Sequence, residues 1–450
     1  MTRVEKGSRN CRSSGLNGPE KLFLRSRSYG RIPFTNMKTP TILFFLAIAP
    51  SLLMAQSTPP PALDGSWEKQ HLHDNFWAEG ATTLDANKDG VMDVVYGPYW
   101  FAGPDFTKRQ LIYPDTTRTM AKREDGSEVE IEGFHGAKSV KNGYSDNFLN
   151  AAHDINGDGW TDYIVMGFPG KETLWYENPQ GKEGLWPKHV ALDVTDNESP
   201  MFADIDGDGN PDLLCMSGGH LGYATFDPKN ATEKWAWHMI SPKLAFQRFT
   251  HGIGFGDVNG DGKTDILEAS AWWEQPAVLD GKGPWKKHEA DFGKGGAQMY
   301  VYDVNADGKP DVITSLAGHG YGLAWMEQTT EGWEQHLITG TPESEGETGI
   351  IFSQPHAIEM ADMNGDGVLD IVTGKRFWAH GKEGDPEPNA PAVLWWFELK
   401  RDGDSPSYIP HLIDNDSGVG TQFTVDDLNG DGKPDVVVGN KRGAFVHIRQ

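Results

Sequence analysis

The sequence predicts an all-β fold: a seven-bladed β-propeller with four antiparallel strands per blade and an N-terminal strand that completes the last blade. Three observations predict it. First, a nine-residue stretch of the form D-x-[ND]-x-D-G-x-x-D recurs seven times, beginning at Asp85, Asp154, Asp204, Asp257, Asp303, Asp362 and Asp427. Second, each copy sits between two short apolar runs, and in most units a Gly-rich turn, an aromatic run and a closing run follow. Four short runs per unit, with no sustained helical spacing, mark a repeat whose unit is one small sheet. Third, the last unit stops at its third run, 444–448, while an orphan run at 67–72 has the pattern of a fourth strand. Pairing the two ends in one sheet would remove the open edge that a linear array leaves.

Taken in order, residues 1–55 read as a leader. Lys38 precedes the apolar run 42–53, and Ala55 marks a plausible cleavage point; Met37 is an alternative start. The run is short for a bilayer span, so the expected location is secreted, periplasmic or cell-surface, with no membrane span after signal removal. Residues 56–65 carry three consecutive prolines and form a stiff linker. Residues 66–450 form the propeller. A first strand such as 253–256 enters the loop, a second such as 311–316 leaves it, and an aromatic third such as 323–327 follows. The closing strand has the form Trp333-Glu-Gln-His336 and recurs at Trp186/His189, Trp235/His238, Trp285/His288 and Tyr408/His411, with a looser version at 107–112. These outer-strand His, and the third-strand Trp175, Trp273, Trp325 and Trp395, are read as blade packing.

The chain carries a formal net charge of -25 over 450 residues. Residues 1–55 hold nine Lys/Arg against two Asp/Glu, which leaves the remainder at -32. Such a body should not bind nucleic acid or an anionic membrane surface unaided. Of two cysteines, only Cys215 lies outside the leader, in an apolar run where it reads as a small buried side chain. An exported chain without a disulfide needs another staple, and a metal in the repeated loops can supply it.

The loop chemistry follows from its spacing. Positions 1, 3 and 5 place oxygen side chains on one side of a tight turn, Gly at position 6 lets the backbone bend, and position 9 returns a carboxylate. The seven candidate ligand sets are Asp85, Asn87, Asp89 and Asp93; Asp154, Asn156, Asp158 and Asp162; Asp204, Asp206, Asp208 and Asp212; Asp257, Asn259, Asp261 and Asp265; Asp303, Asn305, Asp307 and Asp311; Asp362, Asn364, Asp366 and Asp370; and Asp427, Asn429, Asp431 and Asp435. With a backbone carbonyl near position 7 and water, each set offers hard oxygen donors in the number that suits calcium. The absence of His and Cys from the sets argues against zinc or copper. Up to seven structural calcium ions are expected. An EF-hand is excluded, because it needs Glu at position 12 and only Glu268 stands there.

These loops and their flanking strands resemble the FG-GAP/VCBS repeat family, whose members include the integrin-alpha type of calcium-binding propeller. The resemblance covers about residues 66–450 and implies the propeller and calcium; on function the family spans adhesion, binding and catalysis.

The loop joins strands one and two, so the turn between strands two and three, and the connection into the next blade, lie on the opposite face. His251 and His356 each precede their loop's first Asp by six residues, and His220 and His319 each follow it by sixteen, which places one His from each of four consecutive blades there. His380 can join them. The same face receives the insertion 116–150, with His135, Lys138, Tyr144 and Asp146, and also Lys375, Arg376, Lys441, Arg442, Tyr99, Trp100 and Trp272. His251, His356, His319 and His220 are therefore the candidate catalytic or transition-metal-binding residues, set against a reading as turn residues satisfied by backbone carbonyls.

Two functions follow. One is an exported calcium-stabilised scaffold that binds a carbohydrate or protein through this face. The other is a sugar-active lyase or dehydratase using the His cluster, with or without a transition metal. A run such as Trp175-Tyr-Glu-Asn-Pro179 before a Trp-led strand is distantly similar to the propeller portion of aldos-2-ulose dehydratase, which implies the second reading and transfers no catalytic residue. An integrin-like adhesion role would call for a further domain. No Ser-His-Asp pattern, nucleotide loop or paired-Cys motif is visible.

Overall fold

Each nine-residue loop joins the first two strands of an antiparallel set. In the computed structural model, which describes residues 66–281, 283–401 and 405–450, the strands fall into seven such sets of four among the described residues. The predicted leader 1–55 and linker 56–65 lie outside the described residues. The fifth set shows the plan: Gln298–Tyr302, Asp311–Ser315, Leu323–Thr329 and Gly332–Thr339, each antiparallel to the next. The described residues contain no α-helix, only a 3-10 turn at Pro228–Asn230. No helix among them is long and apolar enough to cross a membrane.

The last set is made from both ends of the chain. Trp67–His73 pairs with Gly443–Arg449, in register from Trp67 opposite Arg449 to His71 opposite Phe445. This is the pairing expected from the orphan run. One boundary differs from expectation. The closing strand of the second set and the first strand of the third form one strand, Lys188–Ala203, bulged where Asn197 adopts a φ of 85°. Asn tolerates that left-handed backbone, so the chain turns from one sheet to the next without a loop.

First strands of consecutive sets lie beside one another, and the first strand of the seventh set, Phe423–Asp426, lies beside that of the first, Thr82–Leu84. In one case the contact is a parallel ladder, Ile253–Gly256 against Gln298–Tyr302. There a side chain on Gly254 would meet the Met299 carbonyl oxygen at 2.2 Å, so only glycine fits. The sheets are buried on both faces because successive strand residues point to opposite sides. Val312 packs with Leu267 of the fourth set and with Met299 of its own, whereas its neighbour Ile313 packs with Trp395 and Phe397 of the sixth. The apolar runs beside the loops therefore read as continuous instead of alternating. Cys215 is fully buried in such a layer.

The insertion 116–150 contributes a two-stranded hairpin, Arg118–Lys122 with Glu128–Glu132. It stands apart from the seven sets, and the segments flanking it, at Thr116, Thr117 and Phe134, line the cleft described below.

Candidate functional site

The loops set a ruler for the opposite ends of the first strands. The residues six before each first Asp are Glu79, Phe148, Glu198, His251, Ala297, His356 and Thr421. Five of these seven build or border one cluster, buried at Glu198 and His356 and partly exposed at His251 and His319. His251 Nε2 lies 3.0 Å from His319 Nε2 and 3.1 Å from His356 Nε2. Glu198 Oε2 lies 3.5 Å from His251 Nε2 and 3.4 Å from His356 Nε2. Ligand atoms of Glu198, His251, His319 and His356 all fall within 4.8 Å of one another. Nitrogen ligands about 2.1 Å from one metal and at right angles to each other would stand about 3.0 Å apart, so the spacing fits a shared ion. Three neutral imidazoles and one carboxylate suit a borderline-soft divalent metal.

Arg376 closes the cluster from behind. It is 1% exposed; Nη2 donates to Glu79 Oε2 at 3.0 Å and Nη1 to Glu198 Oε2 at 3.4 Å. Its guanidinium covers the Phe148 ring, 5.5 Å from the centroid. Two buried carboxylates therefore share one buried cation, an arrangement that tolerates a further positive charge. Nη1 also donates to His356 Nε2 at 3.0 Å, which competes with a metal for that lone pair. Burial, and next the Arg376 charge, push His356 down to about 3. Burial, followed by the positive charges of His356 and Arg376, also holds His319 far below its usual value. Burial raises Glu198, but hydrogen bonds from His251 and His356 and the Arg376 charge outweigh it and keep the carboxylate ionised. Neutral imidazoles and an ionised carboxylate are the forms that ligate metals. Glu79 Oε1 and the Nδ1 atoms of His319 and His356 are buried and make no hydrogen bond.

A second group adjoins the first. His380 Nδ1 meets Asp385 Oδ1 at 2.7 Å, and its backbone N–H donates to Asp385 Oδ2 at 2.8 Å. Asp385 Oδ1 also lies 3.7 Å from His319 Nδ1, and the His380 and His319 ring centroids are 4.3 Å apart. Asp385 thus fixes the half-exposed His380 ring through Nδ1.

Of the four candidate His, three meet and one does not. His220 Nδ1 bonds the Ser241 carbonyl at 3.1 Å and takes no part in the cluster. Its strand set contributes Glu198 instead. Other residues expected on this face have structural partners. Tyr99, Trp100 and Trp272 lie in strands, and Trp272 stacks on His288 with centroids 3.9 Å apart. Lys441 is buried and donates to Asn142 Oδ1 and to the carbonyls of Trp378 and Ala379. Lys375 is buried against Ser353, Arg442 pairs with Asp416, and His135 pairs with Ser139. Glu198, Glu79 and Asp385 were not anticipated. The six-residue ruler that picks out His251 and His356 also falls on Glu198 and Glu79, whereas no spacing marks Asp385.

In six of the nine-residue loops position 1 accepts backbone N–H groups from positions 5 and 6, as Asp303 does from Asp307 and Gly308; in the third, Asp204 accepts from Gly207 and Gly209. Each position-9 carboxylate accepts from the position-2 N–H and is buried; Asp311 takes Val304 at 2.9 Å, and its other oxygen takes Gln328 at the end of the third strand, also at 2.9 Å. In the third loop, where position 3 is also an Asp, ligand oxygens of Asp204, Asp206 and Asp212 lie within 4.8 Å of one another. That convergence of hard oxygens fits a calcium-type cation.

The model of the FG-GAP-like repeat matches residues 154–215 and 303–373, and that of the FG-GAP repeat matches 419–446. Comparison with curated proteins returns no match. Among solved structures, the chain is similar to an Agrocybe aegerita lectin that recognises non-reducing terminal N-acetylglucosamine, at 15% identity and a TM-score of 0.41, covering 82% of this chain and 84% of the lectin. It is similar to a Bacillus licheniformis rhamnogalacturonan lyase at 12% identity and 0.38, covering 84% and 72%. It is also similar to the V. cholerae biofilm matrix protein Bap1 at 10% and 0.35, covering 82% and 87%. At TM-scores this low the likeness says nothing about what this chain binds.

Proposed function

Since the chain is an FG-GAP-repeat protein, we propose that it is an exported, calcium-stabilised seven-bladed propeller, residues 66–450, that carries one transition-metal centre and acts with it on a carbohydrate as a lyase or dehydratase. The observation that carries this reading is the approach of His251, His319, His356 and Glu198 to within 4.8 Å. Seven blades are supported by the seven strand sets and by first strands that neighbour one another from set to set. Calcium is supported by the oxygen-only loops.

A bound divalent ion would supply Lewis-acid polarisation of a substrate oxygen. The chain's own groups do the rest. Arg376, Glu79 and Glu198 fix the charge behind the centre. Asp385 orients His380, whose Nε2 can take or return a proton beside His319. A binding scaffold without catalysis is the second reading, and the Arg376 contact to His356 Nε2 favours it, because a guanidinium already holds that lone pair.

Metal analysis of the full chain separates the two. The enzyme reading expects several calcium ions and one transition metal per chain, with only the latter lost in a His251→Ala/His356→Ala variant. A chain that takes up no transition metal on reconstitution, or a double variant that keeps it, would leave the scaffold reading.

A further inference from the structure

A cleft of about 860 Å³ lies between the segments that flank the hairpin, Thr116, Thr117 and Phe134, and the second strand set. That volume falls within the range of roughly 300–1,000 Å³ usual for small-molecule sites. Four partly exposed rings line it: Tyr113, Phe134, Tyr144 and Phe168. Tyr144 and Phe168 lean on each other with centroids 5.3 Å apart, and Tyr113 stacks on Tyr176 at 4.9 Å. Thr116 and Thr117 bring hydroxyl side chains to the same lining. The charges on the lining cancel, Asp146 and Glu172 against Lys171 and Lys188.

Rings half-open to water in a concave site ask for an apolar face, and hydroxyls beside them ask for hydrogen-bonding edges. A sugar ring has both, C–H faces for stacking and hydroxyls around the rim. The absence of net charge selects a neutral one. We infer that this cleft is a binding subsite for a neutral oligosaccharide and that it leads to the His/Glu centre. The route is short: the Tyr144 ring meets His380 edge-on at 6.5 Å, and His380 lies 4.3 Å from His319. The link to the centre rests on the metal-dependent reading above; saccharide binding in the cleft does not.

Calorimetric titration of the full chain with cellotetraose, chitotetraose, tetragalacturonate and 4-nitrophenol tests it. At least one neutral tetrasaccharide binds, and Phe168→Ala weakens it at least about tenfold. Phe168 also packs on Phe148, so a second variant guards against misfolding: Thr116→Trp, at an exposed rim position, blocks the cleft and abolishes binding. In the His251→Ala/His356→Ala variant binding stays within about twofold, whatever that variant does to metal content. The inference is overturned if no neutral saccharide binds, if both cleft variants bind like wild type, if only tetragalacturonate binds, or if 4-nitrophenol alone binds as tightly as the sugars.

Discussion

Arg376 is the residue on which the centre depends. It is fully buried between Glu79 and Glu198, and removing it strands two buried carboxylates. Arg376→Leu should therefore cost about 3–5 kcal/mol of stability, read by denaturant unfolding; a loss below about 1 kcal/mol would mean that water already reaches these acids. His447 gives a pH signature. It is fully buried, with Ser417 Oγ 3.0 Å from Nε2, and Asp414 and Lys69 act on it with opposite signs. Burial is the dominant effect and pulls it down to about 4 from 6.5. The folded value lies below the unfolded one, so the unfolded chain binds the extra proton. The contribution of His447 is complete above about pH 6.5 and is lost as pH falls toward 4, by about 3 kcal/mol. At constant saturating calcium, His447→Gln should flatten the stability profile over that window relative to wild type; parallel profiles would refute the assignment.

At the scale of the element, the repeated unit is a clamp as well as a loop. The outer-strand His was expected to be structural. It does stack on a third-strand aromatic, with centroids 4.4 Å apart for Trp175/His189, 4.2 Å for Trp325/His336 and 4.0 Å for Trp396/His411. It also bonds a Glu in or just after the third strand, at 3.1 Å to Glu177, 2.9 Å to Glu327 and 3.1 Å to Glu398. That Glu accepts in turn from the position-3 Asn of the loop, as in Asn305 to Glu327 at 3.2 Å and Asn364 to Glu398 at 2.7 Å. The loop is thus tied to the outer strand through side chains, and to the third strand through the position-9 Asp. Asp311→Ala removes two hydrogen bonds to a buried carboxylate and should cost about 2–4 kcal/mol. The loss should persist in excess EGTA, because those bonds need no ion. A melting temperature unchanged by the substitution in EGTA would mean that Asp311 acts only through a cation.

For the whole molecule, the pairing of Trp67–His73 with Gly443–Arg449 is the long-range contact that joins the two ends of the described chain. His71 stacks on Phe445 at 4.4 Å, repeating the His-on-aromatic contact of the other sets. A chain lacking residues 1–73 exposes the edge of Gly443–Arg449, an unpaired strand that recruits other chains. It should melt lower and self-associate, seen by calorimetry and size-exclusion chromatography; a monomeric truncation with the parent melting temperature would contradict this.

Much of the fold was legible because its signals are local. The loop pattern fixes a turn, the apolar runs fix the strands beside it, and the closing pattern identifies Trp67–His73 as a displaced fourth strand. The site was legible only in part. His251 and His356 share a position relative to their loops, so the repeat marked them together, and the same position holds Glu198 and Glu79. A search for His alone passed over both and took in His220, whose ring turns to Ser241. The sequence by itself determined the seven loops, their oxygen donors and the strands around them, because each is set within a few tens of residues. Only the tertiary structure decided that His251, His319, His356 and Glu198 converge, that Arg376 stands behind them and that Asp385 holds His380. Those contacts depend on how neighbouring sheets are rotated against one another, and that rotation is set by packing across the apolar layers between them.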